Sequence, residues 1–359
     1  MALKVVIDVL GSTEQSGGMR LHATQIVTAW SKSFPADAIT VVGPKWSEFE
    51  FASLQNVRVV GWRNEKVWSR AFGQVVVTAL VTLAKRAPVL ISLSPVVSPL
   101  VPRKRSICFE HDWRHKKVPS EFGIAQRAYR KLWEISAGRA RAVVCISDKT
   151  EKETKAIVPS ARTVIIPNGY DHARDWANLD APDGPRNAVV TFGHHNNKRP
   201  ELVIGALAEL KHPGLESLRL IVLGAQGSYR EKLSRYAQDQ GVAHRVEFPG
   251  FVSDREYQRL IRSADVVVMA SSDEGFGLPI AEAQYFGIPA VVTTDSGLED
   301  IHGESVISAA PDAHSLSKAL AAAVSLGVRP DESQRTLHSW DRTVHALRRI
   351  AKTDSGAVR

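Results

Sequence analysis

Apolar and polar positions alternate in blocks along this chain. In the first half, short β-branched runs at residues 5–9, 39–42, 57–60, 89–93, 106–109 and 142–146 read as strands. Between them, residues 21–34, 68–85 and 124–137 carry the three-to-four-residue apolar spacing of helices. Strands that alternate with helices imply a parallel sheet, and right-handed crossovers put the helices on both of its faces, which is a doubly wound domain.

The pattern dissolves over residues 171–186, where Asp171, His172, Asp175, Asp180, Pro182, Asp183, Gly184 and Pro185 show no periodicity, so this stretch reads as a linker. The alternation then restarts, with strands expected at 188–192, 218–223, 246–248, 265–269 and 290–293. The expected fold class is therefore α/β: two facing doubly wound Rossmann-like domains, residues 1–170 and 187–329, followed by a helical tail over 330–359. Local signals agree. Ser253 and Glu256 form a capping box before residues 257–261, Pro279 suits a first helical turn, and Gly287 suits the stop of that helix. In the tail, residues 337–350 place Trp340, Val344, Leu347 and Ile350 on one face, as expected of a helix that crosses back to the first domain.

With 44% hydrophobic and 23% charged residues in 359, the composition is that of a globular protein and excludes disordered and fibrous classes. The longest apolar run, residues 75–84, stops at Lys85 and Arg86, falls short of the ~20 residues of a spanning helix and reads as a buried helix. Cys108 and Cys145 each lie within an apolar strand and read as reduced core thiols, not as a metal site. Met1 leads within a few residues into a strand, without a secretory pattern, so the expected location is cytoplasmic.

Charge is uneven. Through Asp180 the chain carries 26 Lys/Arg against 16 Asp/Glu, and the remainder carries 20 against 22. Arg103, Lys104, Arg105, Arg114, Lys116, Lys117, Arg127, Arg130 and Lys131 form a basic cluster. It is either a solvated face or a contact for an acidic acceptor or an anionic membrane surface, with the protein then peripheral on the inner face. Without interleaved aromatics in a recognisable module, it does not point to nucleic acid.

In an open α/β sheet, ligands bind beyond the carboxyl ends of the strands. The loop after the strand at 265–269 reads Glu274-Gly-Phe-Gly-Leu-Pro-Ile-Ala-Glu282. Gly275 and Gly277 permit close backbone approach, and the amides of Phe276, Gly277 and Leu278 at a helix start offer donors and a positive dipole to a diphosphate. Glu282, expected in the first turn, would accept from neighbouring hydroxyls or merely offset the helix dipole.

This segment resembles the signature of the large retaining glycosyltransferase family called family 4, two glutamates separated by seven residues. The resemblance implies that Glu274 lies beside the donor sugar and Glu282 holds the nucleotide ribose. Gly17 and Gly18, after the first strand, match the family's glycine-rich loop near the donor phosphates, and they do not spell a dinucleotide fingerprint. Lys198 matches the family's lysine in the loop after the strand at 188–192, whereas His194 stands where an arginine is usual, and Arg199 is a candidate to compensate. Histidine carries only one charge, and only when protonated, so donor affinity is expected to fall with rising pH.

His111, in Glu110-His111-Asp112, resembles a His-Asp pair in a subset associated with bacterial surface-polysaccharide mannosyl and rhamnosyl transferases, which implies a place at the donor sugar. Ser147, Pro167-Asn168-Gly169 and Phe248-Pro-Gly250-Phe-Val252 match further. The implied function is transfer of a hexose, GDP- or dTDP-linked on the evidence of the His-Asp region, from a nucleotide-diphosphate sugar to a glycan or lipid-linked acceptor. Catalysis would rest on Glu274 and His111, without cofactor or metal. The alternatives are an epimerase of the same fold, which needs no acceptor, and a non-catalytic scaffold at a membrane or polysaccharide surface.

Overall fold

Every strand pairing among the described residues is parallel. The computed structural model describes residues 2–14, 16–63, 66–178, 186–329 and 338–352. Two units divide the chain: residues 1–169 with 338–359, and residues 170–337.

The first unit contains β1 (Lys4–Asp8), β2 (Ala38–Pro44), β3 (Val57–Trp62), β4 (Val89–Ser92), β5 (Ser106–Glu110), β6 (Ala142–Cys145) and β7 (Thr163–Ile165), in the order β3-β2-β1-β4-β5-β6-β7. Val5, Val6 and Ile7 are buried, as a central strand covered on both faces requires. The chain winds outward from β1 to β3 and then returns to place β4 on β1's other side, so the order reverses between β1 and β4. The second unit repeats the plan with β8 (Ala188–Phe192), β9 (Arg219–Leu223), β10 (Val246–Gly250), β11 (Val266–Met269), β12 (Ala290–Thr293) and β13 (Ile307–Ala309), in the order β10-β9-β8-β11-β12-β13. Its reversal lies between β8 and β11. Such reversals open the crevice in which ligands of this fold class bind.

Four features differ from the sequence reading. Strands β7 and β13 were not foreseen, since three residues apiece are too few to show a period. Within the expected linker, Asp171–Asn178 forms a 3-10 helix of the second unit with His172, Ala173 and Trp176 buried; residues 179–185 of that linker lie outside the described residues. In the tail, the helix Trp340–Lys352 buries Trp340, Val344, Leu347, Thr343 and Ala351 in the first unit, while Ile350 is only half-buried. Its Arg348 clasps the buried Asp37 at 2.6 and 2.7 Å, and Trp30 Nε1 and the Leu3 amide donate to the same carboxylate.

The fourth difference is the largest. The run expected to be a buried helix belongs to Val67–Ala84, an 18-residue helix with a mean hydropathy of 1.4, long and apolar enough by composition to cross a bilayer. It is not buried. Ala71, Gly73, Gln74, Thr78 and Thr82 face the protein, while Leu80 and Leu83 are 60% and 71% exposed. A single π turn, Gly73–Val77, interrupts it where Gln74 turns inward.

Candidate functional site at the carboxyl edges of the two sheets

In the second unit, β11 runs into the loop that carries Glu274 and then into the helix Leu278–Tyr285, with Pro279 in its first turn. Gly277 has φ +76°, and a Cβ there would stand 2.4 Å from Leu298 Cδ2, so backbone and packing both demand glycine irrespective of any ligand. Gly287, at φ +69°, closes the helix as expected. The first intrahelical bond runs from the Ile280 amide to the Gly277 carbonyl at 2.9 Å, so the amides of Phe276, Gly277 and Leu278 stand ahead of it. The Phe276 ring is buried, and its carbonyl accepts from His302 Nε2 at 2.8 Å, which fixes the turn.

Lys198 and Glu274, separated by 76 residues in sequence, form an ion pair with Nζ 2.5 Å from Oε1. Their side chains are 12% and 13% exposed. Two loops are stitched together to achieve this. Lys198 ends the 3-10 turn Asn196–Lys198 after β8; the Ser272 amide donates to the Asn197 carbonyl at 2.9 Å, and Asn197 Nδ2 donates to the Asp273 carbonyl at 3.3 Å. Asn197 is buried and its Oδ1 has no hydrogen-bond partner among the described residues, a feature no motif announced. Because β8 and β11 are neighbours at the sheet's reversal, the pair sits at the crevice that the topology marks.

Two expectations for this unit need correction. Arg199 is not available to replace the missing arginine. Its guanidinium clasps Asp295 at 2.8 and 2.6 Å and donates to Thr293 Oγ1 and the Ala270 carbonyl, and its backbone is left-handed (φ +45°) as it caps Pro200–Glu209. Burial opposes ionisation of Asp295, but the Arg199 hydrogen bonds prevail and hold its carboxyl below the usual range. Arg199 thus ties the end of β8's loop to that of β12.

Glu282 is not in the first helical turn. Fifth from the start of Leu278–Tyr285, it is 1% exposed and cannot serve as a surface acid offsetting the dipole. His172 Nε2 donates to its Oε1 at 2.9 Å and the Tyr257 hydroxyl to its Oε2 at 2.5 Å. Burial, then the carboxylate, pushes the Tyr257 phenol well above its ordinary range. Trp176 packs on His172, Tyr257 and Phe286 and closes this cluster. His172 and Tyr257 were missed because one lies in an apparent linker and the other in an ordinary amphipathic helix, Asp254–Ser263. His194 is half-buried after β8, its ring edge-on to Phe192 and 4.9 Å from that of His195.

In the first unit, Gly17 and Gly18 open the helix Gly17–Ser33 after β1. No side chain caps that terminus, no acid lies in its first turn, and a Cβ at either glycine would meet nothing within 4 Å. His111 follows β5. Its Nε2 donates to the Leu93 carbonyl at 3.1 Å, which leaves Nδ1 as the lone-pair nitrogen. Burial holds its pKa below the usual imidazole value.

A second histidine, unannounced by any motif, packs edge-on at 4.8 Å: His22, whose Nδ1 donates to Asn168 Oδ1 at 2.9 Å and whose Nε2 is buried without a partner among the described residues. Burial, then the neighbouring His111, lowers its pKa well below the usual value. At the end of β1, burial pushes Asp8 up to about 6 in spite of hydrogen bonds from the Leu10 amide, Ser92 and Gln74. Cys108 and Cys145 are buried free thiols. Among the described residues, no group of three or more His, Cys, Asp and Glu is arranged to hold a metal ion.

Comparison with known proteins matches residues 16–174 to the family described as Glycosyltransferase Family 4 and residues 181–337 to that described as Glycosyl transferases group 1. A D-inositol 3-phosphate glycosyltransferase of Acidothermus cellulolyticus is 32% identical over 185 residues, 48% of this chain and 39% of the relative. A GDP-mannose-dependent alpha-(1-6)-phosphatidylinositol dimannoside mannosyltransferase of Mycobacterium tuberculosis is 30% identical over 191 residues, 50% of this chain and 48% of the relative. The matched region thus spans less than half the length of these curated relatives. Among solved structures, Anabaena Alr3699/HepE in complex with UDP and glucose superposes with a TM-score of 0.67 at 18% identity, over 99% of this chain and 97% of that one, a likeness of fold. With both halves matched and two parallel-sheet α/β domains in place, the chain belongs to the family 4, or group 1, glycosyltransferases of the GT-B fold.

Proposed function

We propose that this protein transfers a hexose from a nucleoside-diphosphate sugar to a glycan or lipid-linked acceptor, with retention of anomeric configuration, in the synthesis of a bacterial surface polysaccharide or glycolipid. The observation that carries the reading is the Lys198–Glu274 pair at the β8/β11 reversal, with Glu274 on the loop that runs into the helix start at Leu278. Names of relatives support the donor class, one being GDP-mannose-dependent and a structural neighbour holding UDP and glucose.

Breaking the glycosyl–phosphate bond leaves negative charge on the departing diphosphate. Lys198 and the amides of Phe276, Gly277 and Leu278 supply positive potential for it. Glu274 is paired with Lys198; an arriving diphosphate competes for the ammonium and releases Glu274 to orient the sugar hydroxyls. Glu282 keeps a second lone pair on each oxygen for the ribose diol, while His172 and Tyr257 fix the plane of its carboxylate. Attack from the face the diphosphate leaves, with the phosphate taking the acceptor proton, accounts for retention without a covalent intermediate. His111, neutral at physiological pH, offers Nδ1 as a hydrogen-bond acceptor for the sugar or acceptor hydroxyl.

The test is a thermal-shift series with UDP, GDP, dTDP, ADP and NAD on wild type, Lys198→Ala and Glu282→Ala. A ligand that binds only the folded protein stabilises it by about 2.7 kcal/mol at roughly a hundred times Kd. Stabilisation by one nucleoside diphosphate, lost in Lys198→Ala, is the expected result and names the base. Stabilisation by NAD alone overturns the reading, and consumption of the sugar nucleotide without any acceptor assigns the site to an epimerase.

A further inference from the structure

We propose that the first unit docks on an anionic lipid bilayer through an outward-facing apolar surface built from the helix Val67–Ala84, the loop 99–105 and the helix Ile124–Arg139. The helix Val67–Ala84 is inside out. Its fully buried positions are small or polar, with Val77 and Val81 half-buried against the core, and Gln74 hydrogen-bonds Ser94 Oγ at 2.8 Å and accepts from the Tyr129 hydroxyl at 2.7 Å. Its outward positions are the large apolar ones, with Trp68, Phe72, Leu80 and Leu83 exposed by 62%, 54%, 60% and 71%. A soluble surface helix shows the reverse arrangement, and a contiguous exposed apolar patch marks an interaction site. A spanning role is excluded by those same inward contacts, because the helix packs on β1 and β4 of its own unit.

The surface is continuous. Ser98 Oγ donates to the Val75 carbonyl, Arg139 donates to the Pro99 carbonyl at 3.0 Å, and the Val97 amide donates to Ser136 Oγ at 3.0 Å. These bonds hold the loop 99–105 between the two helices. That loop and the helix Ile124–Arg139 add Leu100, Ile124 and Ile135, exposed by 64%, 80% and 46%. On the second helix, Ile124, Ala128, Lys131 and Ile135 recur at the spacing of a single face.

The charge around this patch selects the occupant. Across residues 66–86, 99–105 and 124–139 the sequence has one acid, Glu134, which is paired with Lys116 and Lys131, and Lys85, Arg86, Arg103, Lys104, Arg105 and Arg127 are exposed. A second copy of the chain docking by the same face would set basic against basic across a two-fold axis. Apolar side chains interleaved with lysine and arginine suit the boundary of headgroup and acyl chain, where the former enter and the latter meet lipid phosphate. The inference stands on this surface alone and is independent of whether the donor site turns over.

The test is co-sedimentation of the full chain with vesicles of phosphatidylcholine, alone or with about one-third phosphatidylglycerol. Two variants replace only exposed side chains: Leu80→Gln/Leu83→Gln and Arg103→Ser/Lys104→Ser/Arg105→Ser. Wild type is expected to bind the anionic vesicles and not the neutral ones. The leucine variant should lose at least about tenfold in partitioning, and the basic variant roughly fivefold for each charge removed. Both should melt as wild type does and keep its thermal shift with nucleoside diphosphate, which separates failure here from failure of the donor reading. No binding of wild type to anionic vesicles, or variants that bind as wild type does, overturns the proposal. So does a concentration-dependent dimer that the leucine variant abolishes, which would assign the face to a second copy.

Discussion

The two units share a sheet plan and differ in what they place at its carboxyl edge. The second unit sets ion pairs there, Lys198 with Glu274 and Arg199 with Asp295, and a Glu282 carboxylate that accepts from His172 and Tyr257. The first sets groups whose charged forms burial disfavours: His22 and His111 with lowered pKa values, and an Asp8 raised to about 6. On the proposed function, the second unit admits and releases a diphosphate, which needs a charge able to exchange partners, as Lys198 paired with Glu274 supplies. On the same proposal, the first unit meets hydroxyls, which need lone pairs and donors more than charge. The same fold serves both because the strands fix only where loops begin, and the loops supply the chemistry.

The contrast can be broken most forcefully at Glu282. Glu282→Ala leaves the buried His172 and the half-buried Tyr257 without this acceptor, and a loss of roughly 3–5 kcal/mol in the second unit's stability is expected by denaturant titration. A loss under about 1 kcal/mol would show that the carboxylate is not integral to that core. Next comes Glu274→Gln, which keeps shape and removes charge. Transfer should fall by about a hundredfold or more in kcat with the melting temperature near wild type, and unchanged turnover would remove Glu274 from the reaction.

Asp8 sharpens the comparison from the other side. Its carboxyl is near 6 when folded and about 3.9 when unfolded, so the native state holds the proton more tightly. Stability from this group is present at low pH and is lost as pH rises from about 4 through 6, by roughly 2–3 kcal/mol. Asp8→Asn should flatten that slope, and a slope that persists would place its origin elsewhere. The smallest effect is expected at Gly169→Ala, where a Cβ would stand 2.2 Å from the Trp340 amide. Pushing back the helix Trp340–Lys352 should cost about 1–3 kcal/mol without altering nucleotide binding. This glycine serves close packing and not only a turn.

Most of the thirteen parallel strands among the described residues follow from runs such as Val5-Val6-Ile7 and Val266-Val267-Val268, whose hydrophobicity on both faces leaves no other way to bury them. Sequence alone therefore determined the fold class, most strand positions, the caps at Ser253 and Gly287, and the segment from Glu274 to Glu282, because each is written in adjacent residues. Partnerships were decided only in three dimensions. Lys198 meets Glu274 across 76 positions, Arg199 is claimed by Asp295 across 96, and Glu282 is held by His172 across 110, so no local pattern records them. Nor does composition say which side of an apolar helix faces inward: Val67–Ala84 reads as core by hydropathy, yet Gln74, Thr78 and Thr82 take inner positions, where Ser94 and Tyr129 satisfy Gln74 and the two threonine hydroxyls donate to helix carbonyls one turn back. Local propensity sets the elements, while burial and hydrogen-bond satisfaction, which depend on what arrives from elsewhere in the chain, set their faces and their partners.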